Sequence, residues 1–347
     1  MTTKIYLFAL LAACGGSNQP APPAPPPASA PLSTPTAAAP AAHGPRGVLA
    51  ERTFHSEALG VDKTYVVYLP AGYADKPTAK YPVLYYLHGL GGDEHSWTKS
   101  GHLDEAADEL GLQAIVVMPD GDDGFYYDSD KHPDYAACLK DGTGLFMPQI
   151  KNLKTTCVKQ WHYETYITKD VVADVDAHYH TNPTAAARGI AGMSMGGLGA
   201  WALALRHPDE FAAAASHSGY LGLLYKGPHP YVAGKVELIP AFQPGTTGNE
   251  LIDYVVGVFG RDHAKWEADD PELLVAKVAP GKPALYLDCG TEDEFHFQDV
   301  AAYIHDTLTA RHIEHAYFIG PGHHNFEFWR PREAASLTWL RDHVARP

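Results

Sequence analysis

Basic residues are scarce in this chain. Of 347 residues, 26 are Lys or Arg against 41 Asp or Glu, giving a net charge of −15 with no basic cluster. A surface of that sign repels phosphate backbones and anionic headgroups, so nucleic acid and anionic lipid are excluded as expected partners. Cysteine is sparse too. The four cysteines, at positions 14, 138, 157 and 289, lack metal-site spacing, so no thiolate metal centre is expected. The apolar run at the start, Ile5–Ala13, is too short to span a bilayer. No internal repeat or second linker interrupts the residues after Arg46, which points to one domain of about 300 residues.

What is present falls into three segments. Lys4 followed by Ile5–Ala13 reads as an abbreviated signal peptide, residues 1–14. Its end, Leu11-Ala12-Ala13-Cys14, resembles a bacterial lipobox, which implies export with Cys14 as the lipid-bearing first residue; a frayed terminus with a chance cysteine is the plainer alternative. Residues 15–46 are nearly all Pro, Ala, Ser, Thr and Gly and cannot bury a core. They are expected to form a disordered tether that, as polyproline, reaches on the order of 100 Å. Residues 47–347 are expected to fold as the domain, with membrane contact only through lipid on Cys14.

Within that domain, Gly192-Met193-Ser194-Met195-Gly196 lies between an apolar run, 187–191, and a small-residue helical run, 196–203. Strand, sharp turn and helix in that order are what a nucleophile elbow needs, because glycines two positions either side let strand and helix pass close to the serine. The motif alone is weak in a chain with 32 glycines, where a plain strand-to-helix turn would look the same.

A serine needs a base. The apolar run 283–290 reads as a strand ending in a cluster of carboxylates, Glu292, Asp293 and Glu294. After a helix marked by Phe297, Ala301, Ile304 and Leu308 comes a short strand, 315–319, that exits through Gly320-Pro321-Gly322 into His323-His324. Acid and histidine therefore leave successive parallel strands at the sheet edge that carries Ser194.

Further strands are expected at 64–70, 81–88, 114–119 and 211–216, and a helix on Ile167, Val171, Val175 and Tyr179. The loop Gly89-Leu90-Gly91-Gly92 follows a central strand, so the amide of Leu90, with that of Met195, is assigned to the oxyanion hole. A phosphate cradle is excluded there, since no Lys or Ser follows in register. Asp120, Asp122 and Asp123 lack the spacing of a calcium loop and read as solvated turn residues. Residues 122–162 are expected to cap the substrate side, and 221–250 to form the other wall. The aromatics expected to bind substrate are Trp97, Tyr126 and Tyr220. Cys138 and Cys157 share one irregular stretch and would pair in an oxidising compartment, leaving Cys289 a buried thiol.

Taken together, these segments resemble the esterase D-like branch of the α/β-hydrolases, which includes S-formylglutathione hydrolases, feruloyl and acetyl-carbohydrate esterases, enterochelin esterases and mycolyltransferases. The likeness runs from about residue 50 to the end and rests on His88-Gly89-Leu90-Gly91-Gly92 with Trp97, Met118-Pro119-Asp120-Gly121, the Ser194 motif, Gly290-Thr291-Glu292-Asp293, and His324-Asn325-Phe326 leading to Trp329. It implies an α/β-hydrolase fold, a mostly parallel central sheet flanked by helices with loop-rich cap insertions. It also implies Ser194 as nucleophile, Asp293 as acid with Glu292 in reserve, and His324 as base, with no metal or organic cofactor. The function it implies is an exported serine esterase acting on feruloyl, acetyl or other small acyl esters, carbohydrate-linked or free. An acyltransferase of mycolyltransferase type and a catalytically idle surface binding protein are the alternatives.

Overall fold

The computed structural model describes residues 46–242 and 245–345. The expected signal segment, and all of the tether except Arg46, lie outside the described residues. The chain enters through an antiparallel hairpin of β1 (Val48–Ser56) and β2 (Val61–Leu69). Next come the apolar, fully buried strands β3 (Val83–Leu87) and β4 (Ile115–Pro119). Runs of that kind suit strands covered on both faces. Alternation sorts their side chains: Tyr65, Val67, Val83, Tyr85, Leu87, Ile115 and Val117 join one core, while Val66, Tyr68, Leu84, Tyr86, Val116 and Met118 join another on the opposite face.

β5 (Arg188–Met193) and β6 (Ala213–His217) are buried throughout. A two-stranded ribbon, β7 (Tyr225–Gly227) and β8 (Glu237–Leu238), stands apart from the main sheet, which β9 (Ala284–Gly290) and β10 (His315–Gly320) complete. The eight-stranded order is β1-β2-β4-β3-β5-β6-β9-β10, parallel from β4 to β10. After β3 the chain first adds β4 on one side and then β5 on the other. Connections therefore diverge at the C-terminal ends of β3 and β5 and open a crevice there. Helices cover both faces. The elbow helix (Met195–Arg206) and the helix Phe297–Ala310 bury Leu198, Trp201, Ile304 and Leu308 in the first core; the C-terminal helix (Phe326–His343) buries Leu337 and Leu340 in the second.

The segment after β4 departs from its sequence reading. Asp120, Asp122 and Asp123 are buried, not solvated. The Lys63 ammonium on β2 lies 2.5 Å from Asp120 Oδ2 and 2.9 Å from Asp122 Oδ2, and donates to the Thr155 carbonyl at 3.0 Å. Burial works to raise the Asp120 carboxyl, but the Lys63 charge beside it holds it well below the usual range. Burial followed by the Asp120 charge pushes Asp122 up to about 7. The stretch 122–127 is core, so the insertion becomes a surface wall only further on, where Cys138 and Cys157 are joined in a disulfide with Cα atoms 5.8 Å apart.

Glu333 on the C-terminal helix is fully buried, and neither carboxyl oxygen has a hydrogen-bond partner among the described residues. Burial pushes its carboxyl up to about 9, with Arg330 opposing and Asp104 adding to the shift. The folded side chain therefore keeps a proton that the unfolded one has lost at pH 7. Its contribution to stability is complete below about pH 4.5 and declines as the pH rises towards 9. Glu333→Gln should remove that decline. Melting temperatures measured from pH 5 to 9 should fall less steeply in the variant than in the unsubstituted protein, and parallel slopes would contradict the assignment.

Candidate active site

Ser194 stands between β5 and the elbow helix with φ 54° and ψ −117°. Residues with side chains seldom adopt such a backbone, and it persists only where the surroundings leave no alternative. Two glycines remove the alternative. A Cβ on Gly192 would lie 2.2 Å from the Gly196 carbonyl oxygen, and one on Gly196 would lie 2.2 Å from the Leu87 oxygen and 2.6 Å from that of His88. The Ser194 amide donates to His217 O at 2.9 Å, and its carbonyl accepts from Leu198 and Tyr220 amides at 3.1 and 3.2 Å.

The loops after β9 and β10 meet this turn. His324 Nε2 is 2.8 Å from Ser194 Oγ, and His324 Nδ1 is 2.7 Å from Asp293 Oδ2. Asp293 is buried; its second oxygen accepts the Phe295 amide at 3.0 Å, and the buried Cys289 thiol lies 3.5 Å from Oδ2. The carboxylate thus has a fixed partner on each oxygen besides His324. The neighbouring carboxylates serve the backbone of the histidine loop instead: Glu292 accepts the Gly322 amide at 2.9 Å and Glu294 the His324 amide at 3.0 Å. His323 points to Glu294, 2.8 Å away. Asn325 caps the C-terminal helix by accepting from the Glu327 and Phe328 amides.

Gly89 packs against the serine so closely that a Cβ there would be 3.3 Å from Ser194 Cβ, and Leu90 is the next residue of that loop. Met195 is the first residue of the elbow helix, where backbone N–H groups have no acceptor within the helix. The loop is pinned from below. His88 is buried, with Nε2 accepting from the Gly121 amide at 2.9 Å, so its proton sits on Nδ1 and is donated to Gly89 O at 2.9 Å. Gly91 donates to Asp123 Oδ1 at 2.7 Å, and Lys151 of the insertion reaches Asp123 Oδ2 at 2.6 Å.

Two of the three expected substrate aromatics require correction. Trp97 is 1% exposed and spends its indole N–H on the Leu87 carbonyl at 3.0 Å, so it props β3 from within the core. Tyr126 is likewise buried; its hydroxyl donates to His88 O at 3.0 Å and its ring fills the space a side chain on Gly199 would need. Tyr220 is half-buried beside the nucleophile, its ring stacked on Phe297 at 5.2 Å. An unforeseen aromatic stands nearer. Phe295, 51% exposed, meets the His324 ring edge-on at 4.8 Å, and Phe297 and Trp329 close the same imidazole at 5.4 and 5.0 Å. Its place between the acid and the following helix was the available signal.

A second serine, histidine and aspartate line up between the sheet and the C-terminal helix. His217 Nδ1 is 2.9 Å from Asp288 Oδ2 and His217 Nε2 is 2.9 Å from Ser336 Oγ. All three are at most 1% exposed, so no ester can reach them. Tyr286 and Arg332 complete that network on Asp288.

A family model, "Putative esterase", matches residues 56–340. The chain is 27% identical over 236 residues to S-formylglutathione hydrolase of Bos taurus, covering 67% of this chain and 70% of the relative. Among solved structures it is similar to a ferulic acid esterase (TM-score 0.61, 19% identity, 87% of this chain and 100% of that one). It is also similar to an S-formylglutathione hydrolase from Agrobacterium tumefaciens (TM-score 0.62, 20% identity, 88% and 98%). Mycobacterium tuberculosis MPT51 shares the fold at TM-score 0.54 and 18% identity, covering 85% of this chain and 99% of that one.

The rate at which a fluorophosphonate labels Ser194 reads the nucleophile directly. Asp293→Asn should slow labelling by roughly 10³–10⁴, as loss of the orienting carboxylate does in such relays. Glu292→Gln should stay within about tenfold of the unsubstituted rate, because its carboxylate holds Gly322 and not the imidazole. The reverse ranking would move the acid to Glu292.

Proposed function

The chain belongs to the putative esterase family, and from that premise we propose that it is an exported serine esterase working through an acyl-enzyme on Ser194. The observation that carries this reading is the unbroken line from Ser194 Oγ through His324 to Asp293 at a strained elbow. Ser194 Oγ attacks the ester carbonyl as His324 Nε2 takes its proton, and Asp293 stabilises the imidazolium through Nδ1–H. The amides of Leu90 and Met195 donate to the oxyanion. His324 then returns the proton to the leaving alcohol, and water repeats the sequence to free the acid.

Two unlike features support an aromatic or small acyl group joined to a hydroxyl-rich alcohol. Phe295, Phe297 and Tyr220 give an apolar side against the base. Beside Gly91 and Gly92 opens a cavity of about 340 Å³ lined by Asp62, Asp93, Glu94, Lys151 and Asn152, groups that hydrogen-bond hydroxyls; Ser194 itself does not line it. The lipobox-like Leu11–Cys14 and the proline-rich stretch support anchoring outside the cytoplasm.

Hydrolysis of p-nitrophenyl acetate, longer acyl esters, methyl ferulate and acetylated xylan tests the reading. Ser194→Ala should lower kcat by at least ~10³ on every substrate turned over. Phe295→Ala should raise KM for methyl ferulate severalfold while leaving p-nitrophenyl acetate nearly unchanged. Turnover only when a sugar acceptor is added would make the protein an acyltransferase instead. Cys14→Ser should release an anchored chain into the soluble exported fraction.

A further inference from the structure

The wall segment after β7 and the helix that follows the acid loop converge on three metal-competent side chains. His229, in Gly227-Pro228-His229-Pro230, places Nδ1 2.6 Å from Asp299 Oδ2, across 70 residues of sequence. His296, immediately before the helix Phe297–Ala310, has its ring centroid 4.9 Å from that of His229 at an interplanar angle of 35°. One ligand atom from each of His229, His296 and Asp299 lies within 4.8 Å of the others. Both histidines are solvent-accessible, while the Asp299 side chain is only 5% exposed, with its other oxygen accepting the Tyr231 amide at 2.9 Å.

An aspartate and one histidine would account for a hydrogen bond. The second imidazole needs a different reason, since it adds a lone-pair donor to a point already occupied by a buried carboxylate. Two neutral imidazoles and one carboxylate suit a borderline divalent cation, whereas calcium and magnesium favour all-oxygen sites. Zinc–nitrogen bonds of 2.0–2.1 Å in a tetrahedron set ligand atoms about 3.3 Å apart. The His229–Asp299 pair need open only slightly and the third ligand close in, movements available to exposed rings. We propose that His229, His296 and Asp299 bind a divalent cation of the zinc class, which replaces the proton shared between His229 and Asp299.

The cation ties the wall segment to the start of the helix that carries Phe297 against Tyr220 and His324. None of its three ligand side chains hydrogen-bonds to Ser194, Asp293 or His324 among the described residues, so its role is to brace the wall of the cleft. The cation is not part of the acyl-transfer chemistry.

Calorimetric titration of the full, chelator-treated chain with Zn²⁺, and the visible spectrum of its Co²⁺ form, test the site. One tightly bound cation per chain is expected, with a rise of a few degrees in melting temperature at saturating Zn²⁺. His229→Ala and His296→Ala should each weaken binding at least tenfold. His305→Ala should not, although His305 and His315 approach to 2.8 Å elsewhere. Ca²⁺ and Mg²⁺ should fail to compete. Absence of stoichiometric binding, or binding that survives both substitutions, overturns the proposal. X-ray absorption at the zinc edge of the unsubstituted protein, expected to show two imidazoles and a carboxylate, decides the matter should a variant unfold. Ser194→Ala should bind the cation unchanged, which keeps this result independent of the esterase reading.

Discussion

The approach of Gly196 to the carbonyls of Leu87 and His88 fixes where the serine can stand. With no room for even one methyl group, β3, β5 and the elbow helix are locked together at the point where the sheet's connections diverge. The rest of the site is hung from that contact. The Gly89 loop lies over the serine because β3 ends there, and the loops after β9 and β10 reach the serine because those strands run parallel to β5 in the same sheet. Strain at Ser194 is tolerable because two buried strands and a twelve-residue helix hold its flanks.

The two relays in this domain show how little the residue types decide alone. Ser336, His217 and Asp288 reproduce the spacing of Ser194, His324 and Asp293 to within a few tenths of an ångström. Ser336, however, sits on an ordinary helix inside the core, where its oxygen is also shared with Tyr86 and the Glu333 carbonyl. There the same groups satisfy one another's buried polar atoms and cement the C-terminal helix to the sheet. Ser218 connects the two arrangements: its amide donates to Asp288 O, and its hydroxyl accepts the indole N–H of Trp329, whose ring meets His324.

The legible parts of this fold were those written in contiguous residues. Apolar runs gave β3, β4, β5, β6, β9 and β10 within one or two residues, and the glycine pattern around Ser194 gave the elbow. Side chains whose partners lie far along the chain were not legible. Asp120 and Asp122 look like turn residues until Lys63, on a strand paired with β4, is placed against them. Trp97, in a short helical turn just after the loop 89–92, and Tyr126, in a glycine-rich loop, read as cleft aromatics, but the carbonyls of Leu87 and His88 claim their polar atoms and draw the rings inward. No local pattern announces His229 with His296 and Asp299, because it takes the fold to bring the ribbon to the helix.

The salt link between Lys151 and Asp123, with Asp123 in turn holding the Gly91 amide, joins the insertion to the loop 89–92 beside Ser194. On the esterase reading, specificity and turnover are therefore not separable modules in this protein. Grafting another relative's loop in place of the insertion's outer part, 128–162, would exchange more than a pocket lining. It would remove the counter-charge of a buried carboxylate one hydrogen bond away from the backbone beside the nucleophile, so a redesigned preference would arrive with an altered rate unless the replacement carried its own cation to that position.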